Sequence, residues 1–154
     1  MKIGLIVYSY TGNTLSVAEK IRAALEQHGH TAVIERITAA NVNPNIKQVI
    51  RLLDSPDPAP YDRLLVATPV NGFQAAAVFQ EYLKTLPNLT GRTVDVLITH
   101  FFPFSWMGGT QTLRQVITAL TDHGATIGHT GVINWSNNRR ERDIAALVEE
   151  FGAL

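Results

Sequence analysis

Hydrophobic positions along the chain switch between two periods in a repeating order. Short apolar runs rich in β-branched residues, at 3–7, 31–37, 64–67, 94–99 and within 125–135, read as strands buried on both faces. Between them the apolar residues fall at helical spacing. Residues 15–27 put Ala18, Ile21 and Leu25 on one face and are closed by Gly29. Residues 74–86 run into Pro87, and 110–123 turn Leu113, Val116, Ile117 and Leu120 inward before Gly124. A closing helix over 140–151 carries Ile144, Leu147, Val148 and Phe151 on its apolar side. Ile46, Val49, Ile50 and Leu53 predict one more helix over 44–53, stopped by the proline-rich loop 55–60. Strands alternating with helices predict an α/β fold, a parallel sheet covered on both faces with right-handed crossovers. In such sheets ligands lie beyond the carboxyl ends of the strands, where the strand order reverses.

Composition narrows the chemistry. With 154 residues, 45% of them hydrophobic and 17% charged, residues 1–154 are expected to form one domain with a substantial core. The first strand starts almost at Met1, leaving no room for a signal segment, and no apolar run is long enough to span a membrane. A cytoplasmic location is the expectation. Cysteine is absent, which excludes disulfides, thiolate metal sites, cysteine nucleophiles and ligated iron–sulfur clusters, so any redox chemistry belongs to a bound cofactor. Thirteen Lys and Arg balance thirteen Asp and Glu, giving no electrostatic case for nucleic acid. The five histidines show no metal-like clustering. His28 and His30 suit a helix C-terminus. His100 stands apart, at the carboxyl end of the fourth predicted strand.

The densest cluster of polar hydroxyls is Ser9-Tyr10-Thr11-Gly12-Asn13-Thr14, between the first strand and the first helix. A helix N-terminus presents free amides and the positive end of its dipole, Gly12 lets the backbone curl, and the hydroxyls of Ser9, Thr11 and Thr14 add donors. Such a turn suits a phosphate without needing a cation. It lacks the Lys of a nucleotide triphosphatase loop and two of the three glycines of a dinucleotide fingerprint. Helix capping alone is the simpler alternative, since Ser, Thr and Asn are ordinary helix starters.

Ser9 to Thr14 resembles the phosphate loop of the flavodoxin family, Thr or Ser, any residue, then Thr-Gly-Asn-Thr, and matches it in full. The resemblance implies a flavodoxin-like three-layer sandwich, its five-stranded parallel sheet in the order 2-1-3-4-5. It also implies that the loop grips the 5′-phosphate of flavin mononucleotide (FMN). Chain length and the lack of an insertion in the fifth strand fit a short-chain member. The loop after strand three, Thr68-Pro69-Val70-Asn71-Gly72-Phe73, carries an Asn-Gly turn, and Gly72 matches the family position that hydrogen-bonds flavin N5. Phe73 stacks on the flavin or packs under the next helix. The loop after strand four, from His100 through Phe101, Phe102, Phe104 and Trp106 to Gly108 and Gly109, is aromatic, with Phe102 and Trp106 the candidates to cover the ring. A cluster within the loop, or a homodimer contact, is the alternative. His100 would donate to the flavin N1–O2 edge or to a quinone oxygen, or else is a satisfied strand-end histidine. Electron-shuttling flavodoxins are strongly acidic and carry a Tyr and acids near this loop, and this neutral chain has neither there.

Three functions follow for comparison. The first is an electron-transfer protein whose bound FMN carries the electrons to a redox partner protein, with no catalytic acid or base. The second is a small FMN-dependent NAD(P)H/quinone oxidoreductase acting on a small aromatic acceptor. A flavin-free binding module is the third. A phosphorylated receiver domain shares the strand order but needs acids where this chain has Tyr8-Ser9 and Thr68-Pro69.

Overall fold

Alternation along the first strand sets the architecture. In the computed structural model, which describes residues 1–40, 43, 47–101 and 108–154, Ile3, Leu5 and Val7 point to one face of a sheet, while Ile6 and Tyr8 point to the other. Gly4 lies on that second face because the ring of Tyr61 occupies the space of a side chain; a Cβ there would stand 2.5 Å from Tyr61 Cδ2. The chain forms β1 (Lys2–Val7), α1 (Asn13–Gln27), β2 (Thr31–Arg36), β3 (Thr38–Ala40), β4 (Arg51–Asp54) and β5 (Arg63–Asn71). It continues through β6 (Gln74–Ala75), α2 (Ala77–Leu83), β7 (Thr93–His100), α3 (Gly109–Asp122), β8 (Thr126–Asn134) and α4 (Arg140–Gly152).

Strands β1, β2, β5, β7 and β8 pair in parallel in the order β2-β1-β5-β7-β8, which is the expected 2-1-3-4-5. One core, built on Ile3, Leu5, Leu65, Leu97 and Ile133, lies under α1 and α4, where Ile21, Leu25, Ile144 and Phe151 meet it. The other, built on Ile6, Leu64, Val66, Val96 and Ile98, lies under α2 and α3, with Phe79, Tyr82, Val116 and Leu120. The three layers are therefore helix, sheet and helix, each strand contributing alternate residues to the two cores.

Two predicted helices differ. Residues 51–54 form β4, antiparallel to β3, and residues 47–50 take no regular structure. Here the period is two: Ile50 and Leu52 pack against the core while Val49 and Leu53 are 95% and 64% exposed. A helix over 44–53 would have turned Val49 and Leu53 inward with Ile46, a residue outside the described ones. The helix predicted over 74–86 shortens to α2, because Gln74 and Ala75 pair back onto Asn71 and Val70 as β6 before the helix begins. Near its amino end, the sheet carries an extra residue in β8: Gly128 and His129 together oppose Asp95. The buried Asp95 carboxylate accepts from Arg63 at 2.7 and 2.9 Å and from the His129 amide at 2.7 Å, and Gly128 leaves the room this needs. None of the helices among the described residues is long and apolar enough to cross a membrane.

Candidate functional site

The carboxyl ends of β1, β5 and β7 bring together the loops singled out in the sequence. Between β1 and α1 the buried Ser9 hydroxyl accepts from the amides of Gly12 and Leu15, both at 3.2 Å, so Ser9 shapes the turn from inside. Arg36, at the end of β2, donates to the Ser9 carbonyl at 3.2 Å. Gly12 stands at φ 96°, a left-handed conformation that favours glycine, and serves as the N-cap of α1. Gly12 has no side chain to cap the helix. Among the described residues, the amides of Thr11, Asn13 and Thr14 bond no acceptor, so the helix begins with donors and the positive end of its dipole both facing outward. The buried Thr14 hydroxyl instead meets that of Thr99 at 2.8 Å, tying the loop to the end of β7, while Thr11 is exposed.

A cleft of about 250 Å³ opens beside this loop. Of the residues expected at a site, Tyr10, Thr11, Pro69, Val70, Asn71, His100 and Phe101 line it. Ser9, Gly12, Asn13 and Thr14 form the adjoining turn rather than the wall. Gly72 and Phe73 are the two central residues of the β5–β6 hairpin, at φ 59° and 68°, next to Asn71 of the wall, and are not themselves among the lining residues. Gly108 and Gly109 act from behind: a Cβ on Gly108 would lie 2.9 Å from Val70 Cγ1, and one on Gly109 3.1 Å from His100 Cδ2. Phe102 and Trp106 lie outside the described residues.

Sequence reasoning missed part of the wall. Asn43, Lys47, Gln48 and Ile50 line the cleft, and residues 47–50 run beside it without regular structure before β4 begins. Trp135 lines it from the end of β8, its amide donating to the His100 carbonyl at 2.7 Å. Arg140 clamps Trp135, its guanidinium 4.8 Å from the ring centre and one nitrogen donating to the Trp135 carbonyl at 2.8 Å. The position of Trp135 at the carboxyl end of the fifth strand was the available signal. Tyr8 and Thr99 complete the lining. The Tyr8 hydroxyl holds its proton above the usual range, chiefly through burial and secondarily through Tyr10. His28 donates from Nδ1 to the Ala24 carbonyl at 2.8 Å, complementing the end of α1 as expected.

No protein-family model and no curated protein matches the sequence. Solved structures do match in shape. A flavodoxin of Streptococcus pneumoniae TIGR4 superposes with a TM-score of 0.71 at 17% identity, over 99% of both chains. The two-electron reduced flavodoxin of Megasphaera elsdenii gives 0.71 at 21% identity, again over 99% of both. A WrbA-like flavodoxin of Agrobacterium tumefaciens gives 0.73 at 12% identity, over 98% of this chain and 92% of its own. At these identities the likeness speaks for architecture, and this chain has a flavodoxin-like fold.

Proposed function

We propose that the chain is an FMN-binding electron-transfer protein of the cytoplasm, passing electrons to a redox partner. The observation that carries this reading is the start of α1, where three amides without an acceptor border an aromatic and apolar cleft at the switch point of the sheet. The donor set fits a phosphate. The amides of Thr11, Asn13 and Thr14 and the Thr11 hydroxyl hold the anion, Gly12 supplies the curl, and Ser9 and the Thr14–Thr99 pair keep the turn in shape. When bound, FMN supplies the redox chemistry. Pro69, Val70, Phe101 and Trp135 of the lining would exclude water from its ring, and the Asn71-Gly72 peptide would present backbone to the ring edge, the position that the family resemblance implies for Gly72. His100, buried at the back of the cleft, orients the ring or an acceptor oxygen.

Titration of the purified protein with FMN, followed by quenching of flavin fluorescence, tests the reading. Saturable binding is expected; colourless protein that leaves added FMN fluorescent overturns it. A second reading, an FMN-dependent quinone oxidoreductase, draws on Tyr10 and Phe101, which line the cleft yet remain 59% and 60% exposed, placed to stack on a planar acceptor. Steady-state turnover of a quinone with NADH or NADPH, without an added reductase, would favour it over the carrier.

A further inference from the structure

The formal neutrality of the chain conceals a segregation of charge. None of its thirteen carboxylates falls within 8–14, 37–50, 68–80, 99–111 or 134–140, the stretches of chain at and just after the carboxyl ends of the parallel strands. Arg36, Lys47, Arg139 and Arg140 do stand at that end. Lys47 and Arg139 are exposed, and neither has a carboxylate partner among the described residues. Acids near that end are already engaged: Glu35 accepts from the Tyr61 hydroxyl at 2.6 Å, Glu141 lies 3.7 Å from Lys20 and 3.3 Å from Arg140, Asp143 4.0 Å from Arg142, and Asp54 accepts from Thr38. Asp57, Asp62 and Asp122 stand in or beside the connections at the opposite end, and Glu26, Glu149 and Glu150 in the last turns of α1 and α4. The chain leaving the strands around the cleft is therefore free of carboxylates and carries cations, whereas at the opposite end Lys2, Arg63 and Arg92 stand among the acids.

Aromatic rings surround the same mouth. Tyr10 and Phe101 are joined by Phe73, 50% exposed at the hairpin tip and outside the cleft lining. A ligand confined to the cleft leaves Phe73 in water, whereas a broader surface laid across the mouth covers all three rings. Large aromatics with arginine around them, and no acid among them, are the composition of a protein-docking surface. Fixed charges around such a surface orient the encounter and raise its rate. We infer that the cleft face docks an acidic, partly apolar patch of a redox partner protein. The name "redox partner" rests on the flavin reading; the docking surface itself does not.

The experiment titrates the ¹⁵N-labelled protein, with and without added FMN, against a glutamate–leucine copolymer peptide. Amide shifts are expected at Tyr10, Lys47, Phe101 and Arg139 and not at Asp57, Asp62 or Asp122. The affinity should fall with added NaCl. Lys47→Glu combined with Arg139→Glu should weaken it roughly tenfold, and Phe73→Ser should weaken this peptide more than pure poly-glutamate. Shifts spread over both ends, or variants that bind as wild type does, overturn the inference. So does an equal response to citrate, which would make the face a small-anion site, or to a thymidylate oligonucleotide, which would make it a nucleic-acid surface. Because the peptide readout needs no flavin, docking that persists in protein unable to bind FMN refutes the flavin reading alone, and FMN binding without docking refutes only this one.

Discussion

Threonine does three different jobs around the first loop, and burial separates them. Thr11 is exposed at the turn, Thr14 is buried one residue into α1, and Thr99 answers it from β7 across 2.8 Å. Thr14→Val keeps the volume but leaves the buried Thr99 hydroxyl without this partner, a loss of about 1 to 3 kcal/mol of folding stability. Thr11→Val breaks nothing inside the protein, so its stability should stay within about 0.5 kcal/mol of wild type. Its FMN affinity should instead fall about tenfold, near 1.4 kcal/mol, through loss of a donor to a charged group. Urea unfolding paired with FMN titration separates the two variants. Equal losses of stability in both would contradict the division of roles. The hexapeptide was legible because every residue in it has an unusual local task. The Thr14–Thr99 bond was not, since it joins residues 85 positions apart and no local spacing announces such a pair.

At the scale of elements, the strands were legible wherever burial on both faces makes a continuous apolar run, as in β1, β5 and β7. The failures lie at the margins of the sheet. Residues 47–54 offered both periods, since Val49, Ile50 and Leu53 satisfy helical spacing while Ile50 and Leu52 satisfy strand spacing; pairing with β3 and contact with the core decided for the strand. With that element misread, Lys47 and its neighbours were missed as cleft wall. The turn after β5 was expected at Asn71-Gly72, and the positive φ falls one residue later, on Gly72 and Phe73, with Asn71 paired to Gln74. Two central residues at positive φ match the twist of a tight hairpin, and a left-handed phenylalanine is the unusual member. Asn tolerates this conformation and a β-branched residue does not. Phe73→Asn should therefore be more stable than Phe73→Val by about 1 kcal/mol, read from urea midpoints. Indistinguishable midpoints would mean that the hairpin relaxes at no cost.

For the molecule as a whole, two tyrosines link the sheet to its outlying segments, and both resist ionisation. Tyr61 lies against Gly4 of β1, and its hydroxyl donates to the Glu35 carboxylate of β2 at 2.6 Å. Tyr82 reaches from α2 to the Pro56 carbonyl at 2.6 Å, holding the proline-rich loop to the core. Burial first, and the bond and charge of Glu35 next, push the Tyr61 hydroxyl from its usual value of 10 up to about 12. Burial raises Tyr82 in the same direction. A raised pKa means that the folded chain keeps a proton that the unfolded chain releases. The stabilisation tied to Tyr61 is thus complete below pH 10 and is lost progressively as the pH climbs through 12, where the unfolded state gains by ionising. Stability measured by urea at successive pH values should be insensitive to this group near neutrality and fall steeply above pH 10. Tyr61→Phe removes the proton along with the hydroxyl. That variant should be less stable at pH 7, having lost a hydrogen bond to a carboxylate, yet should lose less on going to alkaline pH than wild type does. An unchanged alkaline slope in Tyr61→Phe would place the lability elsewhere, and the same measurement on Tyr82→Phe would show whether the proline-loop anchor carries it.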